Sequence, residues 1–379
     1  MTATPSATFH RFQFHGKAIE FFRIWIVNII LTVLTLGIYS AWAKVRTQKY
    51  LMRNLELDGH RFDYTAEPMQ ILKGRLIAVV LLLALSLLQK MMPAAGSLAS
   101  LLFMLIIPAI IVMSLAFRLR VTTYRGIAFG FQRDFVRAYL IYGLPVLLMA
   151  LMFLITFLYG PRAPRPGMEP EFPALWLAGM GGLMLVLALG FPAWEWWLKH
   201  FIGTRARYGT THFDYEAPVK AYYGLYTSAS LTALVLLVAL TLLFGGIVQL
   251  AGTLPAIPGA WITSALPIAL TCTLVWWYAR IHAGRINLFL DNLSLDGHRV
   301  RSRVTTGAIF WLYVTNTLAI LVSLGLLIPW AQIRTLRYRA SVTGLLAHSP
   351  LDTFVAEQQT QVSALGEEIG DVFDVEIGL

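Results

Sequence analysis

Six stretches of this chain are long enough at the rise of an α-helix to cross the hydrocarbon of a bilayer. They are Leu72–Lys90, Leu98–Phe117, Ala138–Tyr159, Ala174–Trp194, Ser228–Gly252 and Trp261–Tyr278. Five of them are free of charge. The first is marginal: its unbroken apolar core, Leu76–Leu88, is short and reliant on snorkelling by Lys73, Arg75 and Lys90. No soluble core of 379 residues accommodates that many. Composition agrees: 57% of residues are hydrophobic and 13% charged, against about 25% charged in a soluble domain. An ordinary soluble enzyme, a disordered tail and a nucleic-acid module are thereby excluded. The net charge of +10 would suggest nucleic acid on a soluble protein. Here the Lys and Arg residues fall between the apolar runs, as they do in cytoplasmic loops. Cys272 is the lone cysteine, so neither an intrachain disulfide nor a cysteine metal cluster is expected. Met1–Phe14 lacks an apolar core, and no cleaved signal peptide is expected.

Pro108, Pro145, Pro192 and Pro267 lie in or near these runs and read as kinks, which transmembrane helices tolerate. Gly179, Gly181 and Gly182 read as positions of close helix packing. Two more apolar stretches, Phe21–Trp42 and Gly307–Trp330, are interrupted by Leu36-Gly37 and Leu324-Gly325. If both span, there are eight crossings. If both turn back at the Leu-Gly pairs, six crossings remain, and of the basic residues only Lys90, Arg162 and Arg165 lie outside. The positive-inside bias favours six spans with two re-entrant hairpins.

The chain repeats itself. Asn28–Tyr50 aligns without a gap on Asn316–Tyr338, with identities at Asn28/Asn316, Leu36/Leu324, Gly37/Gly325, Trp42/Trp330, Ala43/Ala331, Arg46/Arg334, Thr47/Thr335 and Tyr50/Tyr338. Asn54–Arg61 recurs as Asn292–Arg299, differing only at Glu56/Ser294. Asp-Gly flanked by alternating residues predicts a type I′ hairpin, because both central residues need positive φ. Weaker copies stand at Tyr124–Phe129 and Tyr208–Phe213. Short strands are therefore expected near residues 54–64, 120–131, 206–215 and 292–301, on one membrane face, with Phe12–Phe14 as an added strand. They need partners to be stable.

Asn28 through Tyr50, with Thr35–Tyr39 and Trp42-Ala43-Lys44, resembles the signature of the YjgN family of bacterial inner-membrane proteins. The second copy, ending in Pro329-Trp330-Ala331, and the tail around Gly366–Asp374 are similar to it too. The resemblance covers nearly the whole chain and implies a multi-pass inner-membrane protein. It brings with it no catalytic or binding residues.

The expected fold is all-α and polytopic, with internal repeats and short cytoplasmic β-hairpins between helix pairs. Residues 1–346 form one membrane domain, with repeat halves at 12–131 and 213–346. Residues 347–379 form an acidic tail. From Ser341 onward there is no Lys or Arg, and Asp371–Leu379 is expected to dock on the chain's own basic face, gating access to it or adding an edge strand; a free tail, or one that recruits a partner, is the alternative of nearly equal weight.

Intramembrane polar residues default to functional candidates. Asn28 and Asn316 sit at equivalent positions in apolar runs. Helix–helix hydrogen bonding explains them better than a substrate site does. Glu195 reads either as a carboxylate lining a cavity or as an interfacial one paired with Lys199 or Arg205; the nearby basic loop favours the second. Gly37, Gly325, Trp42, Trp330, Arg46 and Arg334 complete the set as repeat residues. Turn chemistry and solvated strand faces account for Asp58, His60 and Arg61 and for Asp296, His298 and Arg299. His60, His212, His282 and His298 show no metal-site spacing, and there is no P-loop, Gly-x-Ser-x-Gly or dinucleotide fingerprint. No enzyme activity, cofactor, metal or nucleic-acid partner is expected. The partner is the lipid bilayer, with a small molecule or ion as substrate if the repeats and broken helices belong to a transporter or channel. A non-catalytic envelope scaffold is the alternative.

Overall fold

The computed structural model describes residues 7–161, 172–253 and 259–377, and for 251–253, 259–264 and 365–377 only the backbone. Its elements are β1 (Thr8–Phe14), α1 (Ala18–Leu34), α2 (Ser40–Arg53), β2 (Leu55–Leu57), β3 (His60–Tyr64), α3 (Pro68–Met91), α4 (Pro93–Arg120), β4 (Thr122–Tyr124), β5 (Ile127–Phe131), α5 (Phe135–Tyr159), α6 (Ala174–Arg205), β6 (Ala206–Tyr208), β7 (Thr211–Tyr215), α7 (Val219–Thr253), α8 (Gly259–Asp291), β8 (Leu293–Leu295), β9 (His298–Ser302), α9 (Thr306–Val322), α10 (Ile328–Ser341), β10 (Thr343–Ala347) and α11 (Leu351–Ile377).

The expectation of an all-α fold is wrong. The strands form a closed antiparallel barrel in the order β1-β10-β9-β8-β7-β6-β5-β4-β3-β2. The reason is physical. A three- to five-residue hairpin is not stable alone, and a row of them leaves two open edges. Closure removes both. The strands expected from the Asp-Gly signals are all present. Asp58 and Gly59 take φ of 50° and 72°, Asp296 and Gly297 take 48° and 79°, as a type I′ turn requires. β10 was not expected. It pairs on one side with β1, from Thr8↔Ala347 to Arg11↔Gly344, and on the other with β9, from Thr343↔Ser302 to Leu346↔Arg299.

The chain divides into two compact units, residues 1–65, 123–127 and 214–379, and residues 66–122 and 128–213. In the first unit strands β2, β3 and β4 of the barrel are held by side-chain packing as well as pairing. The Phe62 and Tyr124 rings lie 4.7 Å apart, and the Tyr124 hydroxyl donates to the Leu57 carbonyl at 2.8 Å. Burial pushes the Tyr124 phenol up to about 12. In the second unit Val112, Ala116, Phe131, Ala138, Ile141 and Phe201 form one core, so strand β5 is anchored on the bases of α4, α5 and α6.

Five helices among the described residues are long and apolar enough to cross a membrane: α3, α4, α5, α6 and α7 as far as Leu250. The sixth expected run falls in α8, whose first side chains lie outside the described residues. Apolar faces left open, such as Leu76, Leu83, Leu105, Val235 and Leu242, are what lipid contact requires. Pro108, Pro145, Pro192 and Pro267 all lie inside helices.

Candidate functional site

The two repeat copies each fold into a helical hairpin, α1–α2 and α9–α10, within the first unit. Helix α1 ends in a Schellman motif. The Gly37 amide donates to the Thr32 carbonyl at 2.7 Å and the Leu36 amide to the Val33 carbonyl at 3.1 Å. Gly325 to Ile320 and Leu324 to Leu321 repeat it at 2.8 and 3.1 Å. This arrangement needs a left-handed residue after the cap. Leucine fills it in both copies, with φ of 49° at Leu36 and Leu324, followed by Gly37 and Gly325 at 92° and 90°. Leu36 and Leu324 are 95% and 93% exposed. Each turn tip thus holds an apolar side chain outward in a strained backbone state.

Each hairpin leaves the barrel and returns to it. β1 precedes α1 and β2 follows α2, yet Phe12, Gln13 and Phe14 pair with Leu57, Glu56 and Leu55. Likewise β9 precedes α9, β10 follows α10, and the two strands are paired.

The repeat residues brace these hairpins. The Asn28 side-chain amide donates to the Ala43 carbonyl and to Thr47 Oγ1, both at 3.3 Å. Asn316 does the same to Ala331 and Thr335 at 3.5 and 3.2 Å. Tyr50 accepts from the Lys17 amide and Tyr338 from the Thr305 amide, each at 2.9 Å, which satisfies an orphan donor at the head of α1 and of α9. Each such bond contributes about 1 kcal/mol net. Both asparagines thus bond from the first helix of their hairpin to the second.

The copies differ at one shared residue. Arg334 turns inward, donating to Asn316 Oδ1 at 3.0 Å and Thr315 Oγ1 at 2.6 Å, with its guanidinium 5.1 Å from the Trp330 ring. Arg46 is exposed. Asn28 is only 5% exposed, and its Oδ1 has no hydrogen-bond partner. An orphaned buried acceptor costs about 1–3 kcal/mol. Beside it opens a groove of about 490 Å³ whose lining includes Trp25, Asn28, Thr32, Val33, Lys44 and Gln48. Trp42 stacks on Tyr39.

Glu195 lies in α6 of the other unit and is 1% exposed. Arg205, one of its two expected partners, instead donates to Asp134 at 2.7 Å and Gln132 at 2.6 Å. Among the described residues no three His, Cys, Asp or Glu side chains gather as a metal site.

The start of the acidic tail is seated on the barrel's hairpin turns. Asp352 pairs with Arg125, and Gln359 Nε2 donates to the Arg125 carbonyl at 3.3 Å. Leu351, Phe354, Val355 and Gln358 are buried. The expectation for Asp371–Leu379 concerns side chains outside the described residues. Under α11 lies His298, 1% exposed, edge-on to Phe354 at 5.1 Å. Burial lowers its pKa, as do His348 and His10, while Asp296 opposes them. The docked state thus prefers neutral imidazole. Docking is fullest above the ordinary histidine value of about 6.5 and weakens as pH falls below it, because the released state takes up the proton. The Asp352–Arg125 pair titrates separately, in the carboxylate range. Limited proteolysis is expected to cut residues 347–364 faster at pH 5.5 than at pH 7.5, and His298→Phe is expected to flatten that difference.

A family model described as bacterial protein of unknown function (DUF898) matches residues 9–372. The chain is 28% identical over 353 residues, 88% of each chain, to "Inner membrane protein YjgN" of Salmonella typhimurium. It is 32% identical over 124 residues, 32% of this chain and 31% of the relative, to the protein of that name from Escherichia coli K12. No solved structure matches. The family resemblance read from the Leu-Gly and Trp-Ala repeats is thus borne out.

Proposed function

Since the chain belongs to the DUF898 family, with relatives that are inner-membrane proteins, we propose that it is a non-catalytic, transporter-like protein of the bacterial inner membrane. Its barrel and basic loops face the cytoplasm, and the spans number six with two re-entrant hairpins. One observation carries the reading: a duplicated pair of broken helices, each leaving the barrel, turning at an exposed Leu-Gly tip and returning to the adjacent strand. Discontinuous helices in repeated pairs are what transporters use to place irregular backbone and polar groups within a membrane. The chain between α1 and α2 is irregular at Thr35–Tyr39, its amides satisfied locally, and Asn28 and Asn316 stand at equivalent positions before the break in their respective hairpins.

The test is flux into proteoliposomes of the full chain, read with dyes for protons and potassium and with radiolabelled amino acids and nucleosides. Uptake of one solute well above protein-free liposomes, and dependent on Asn28 or Asn316, is expected. No uptake of any of them would favour the scaffold.

A further inference from the structure

The two copies of the Asp-Gly hairpin treat their arginines differently. In β2–β3, Glu56 stands opposite Arg61 in register, with the Arg61 Nε 3.8 Å from its carboxylate, and Asp63 pairs with Arg53 at 2.8 Å. In β8–β9, Ser294 stands opposite Arg299, and Asp291 and Arg301 take the places of Arg53 and Asp63. Asp291 is engaged elsewhere, accepting from the Ser302 amide at 2.7 Å. The second copy has thus lost both acids that hold the first copy's arginines. Buried His298 and Ser302 alternate with exposed Arg299 and Arg301, so both arginines lie on the outer face of β9, their Cα atoms about 6.6 Å apart along the strand. A cavity of about 550 Å³ opens on that face, and its lining includes Glu216, Ser294, Arg299, Arg301, Leu346 and His348. Among the described residues neither guanidinium, nor the Glu216 carboxylate, has a hydrogen-bond or ion-pair partner. Two like charges side by side repel, and an anion that bridges them relieves the repulsion.

The lining makes three demands of an occupant. Each guanidinium matches one carboxylate through two parallel N–H···O bonds. Glu216 calls for a cationic donor and repels a plain anion. Leu346, opposite Arg299 in β10, offers an apolar patch to a short methylene chain. Inorganic phosphate, a simple dicarboxylate and a nucleoside triphosphate all set negative charge against Glu216 with nothing to offset it. A neutral amino acid leaves one guanidinium unmatched. We propose that this face of the barrel binds an acidic α-amino acid, glutamate or aspartate, with its two carboxylates at Arg299 and Arg301 and its ammonium at Glu216. The charges are then complementary: two cations and an anion on the protein meet two anions and a cation on the ligand. Ser294 and His348 supply further hydrogen-bonding groups. The site is built on strands rather than on the broken helices, so the inference requires neither transport nor a particular side of the membrane.

The full chain, purified in detergent, is titrated calorimetrically with L-glutamate, L-aspartate, glutarate, L-glutamine and inorganic phosphate. Saturable binding of glutamate or aspartate is expected, with glutarate, glutamine and phosphate each weaker by about tenfold or more, because each leaves a charged group of the site unmatched. Ser294→Glu restores the acid that the first hairpin carries opposite its arginine, an arrangement this chain already folds, and a thermal melt checks it. It is expected to weaken amino-acid binding by about tenfold or more, since the new carboxylate competes for Arg299. Glu216→Gln is expected to erase the advantage of glutamate over glutarate, a change of selectivity that a merely structural role would not produce. Absence of saturable binding by either amino acid overturns the proposal, and so does glutarate or phosphate bound as tightly. A folded S294E that binds like the wild type, or an E216Q that still discriminates, also overturns it, because the ligand would then lie elsewhere. The readout is binding in detergent, so its failure leaves the transporter reading standing, and absence of flux leaves this site standing.

Discussion

Truncation after Ser341 is expected to abolish the folded protein, whereas truncation after Ala364 is expected to leave it standing. The first cut removes β10, which holds a four-residue register with β1 and another with β9. It also removes the buried Leu351, Phe354 and Val355. Without β10 the ring opens, and β1 and β9 present bare edges, the configuration that invites pairing with other chains. Losing several buried apolar side chains at about 1.5–3 kcal/mol each, together with the ladder bonds, exceeds the 5–15 kcal/mol of a typical native state or comes close to it. The second cut keeps every contact that α11 makes among the described side chains. Expression yield, monodispersity in detergent and protease resistance distinguish the two. A well-behaved, protease-resistant fragment ending at Ser341 would mean that closure contributes little.

Single cysteines in a Cys272→Ser background are expected to divide into two classes in intact inner membranes treated with an impermeant maleimide. Thr8→Cys, Arg61→Cys and Arg299→Cys should stay unmodified until the membrane is opened. Met92→Cys and Phe172→Cys, at exposed residues where α3 meets α4 and where α6 begins, should react at once. The contrast is all or none, since a folded membrane protein does not carry a strand across hydrocarbon on the labelling timescale. Thr8 is the informative position. β1 lies against β2 in register, so eight crossings would demand that two paired strands occupy opposite sides of the bilayer. Reaction of Thr8→Cys in sealed cells would defeat the re-entrant arrangement.

What could be read from the residues was local. The Asp-Gly turns, the Leu-Gly breaks and the duplicated asparagines each carry their conformational demand within a few positions, so the hairpins and the helix-to-helix bracing were legible. The ring was not, because closure depends on strands from opposite ends of the chain. β10, Thr-Gly-Leu-Leu-Ala, has neither strict alternation nor a turn signal, and β1 was visible only at Phe12–Phe14. The tip geometry was half legible. Glycine marked the break, but an exposed leucine takes the left-handed cap in both copies. The notch beside Asn28 was invisible for a different reason. Arg46 and Arg334 are the same residue at the same repeat position, and only their surroundings send one outward and the other inward. The burial of Glu195 in α6 was not legible either, because it depends on how that helix packs rather than on its sequence neighbours.

The pairing of the first strand with the last also sets the order of events during synthesis. At about 5–20 residues per second, β1 emerges tens of seconds before its partner β10 exists. Throughout that interval the membrane helices are being inserted while the barrel lacks its final stave. The nascent chain must keep the Phe9 edge from recruiting strangers, and no internal checkpoint can declare the barrel complete before β10 has been made. A stalled or prematurely terminated chain would therefore be anchored in the membrane yet recognisably unfinished on one side, a form that quality-control proteases can read without inspecting any membrane helix.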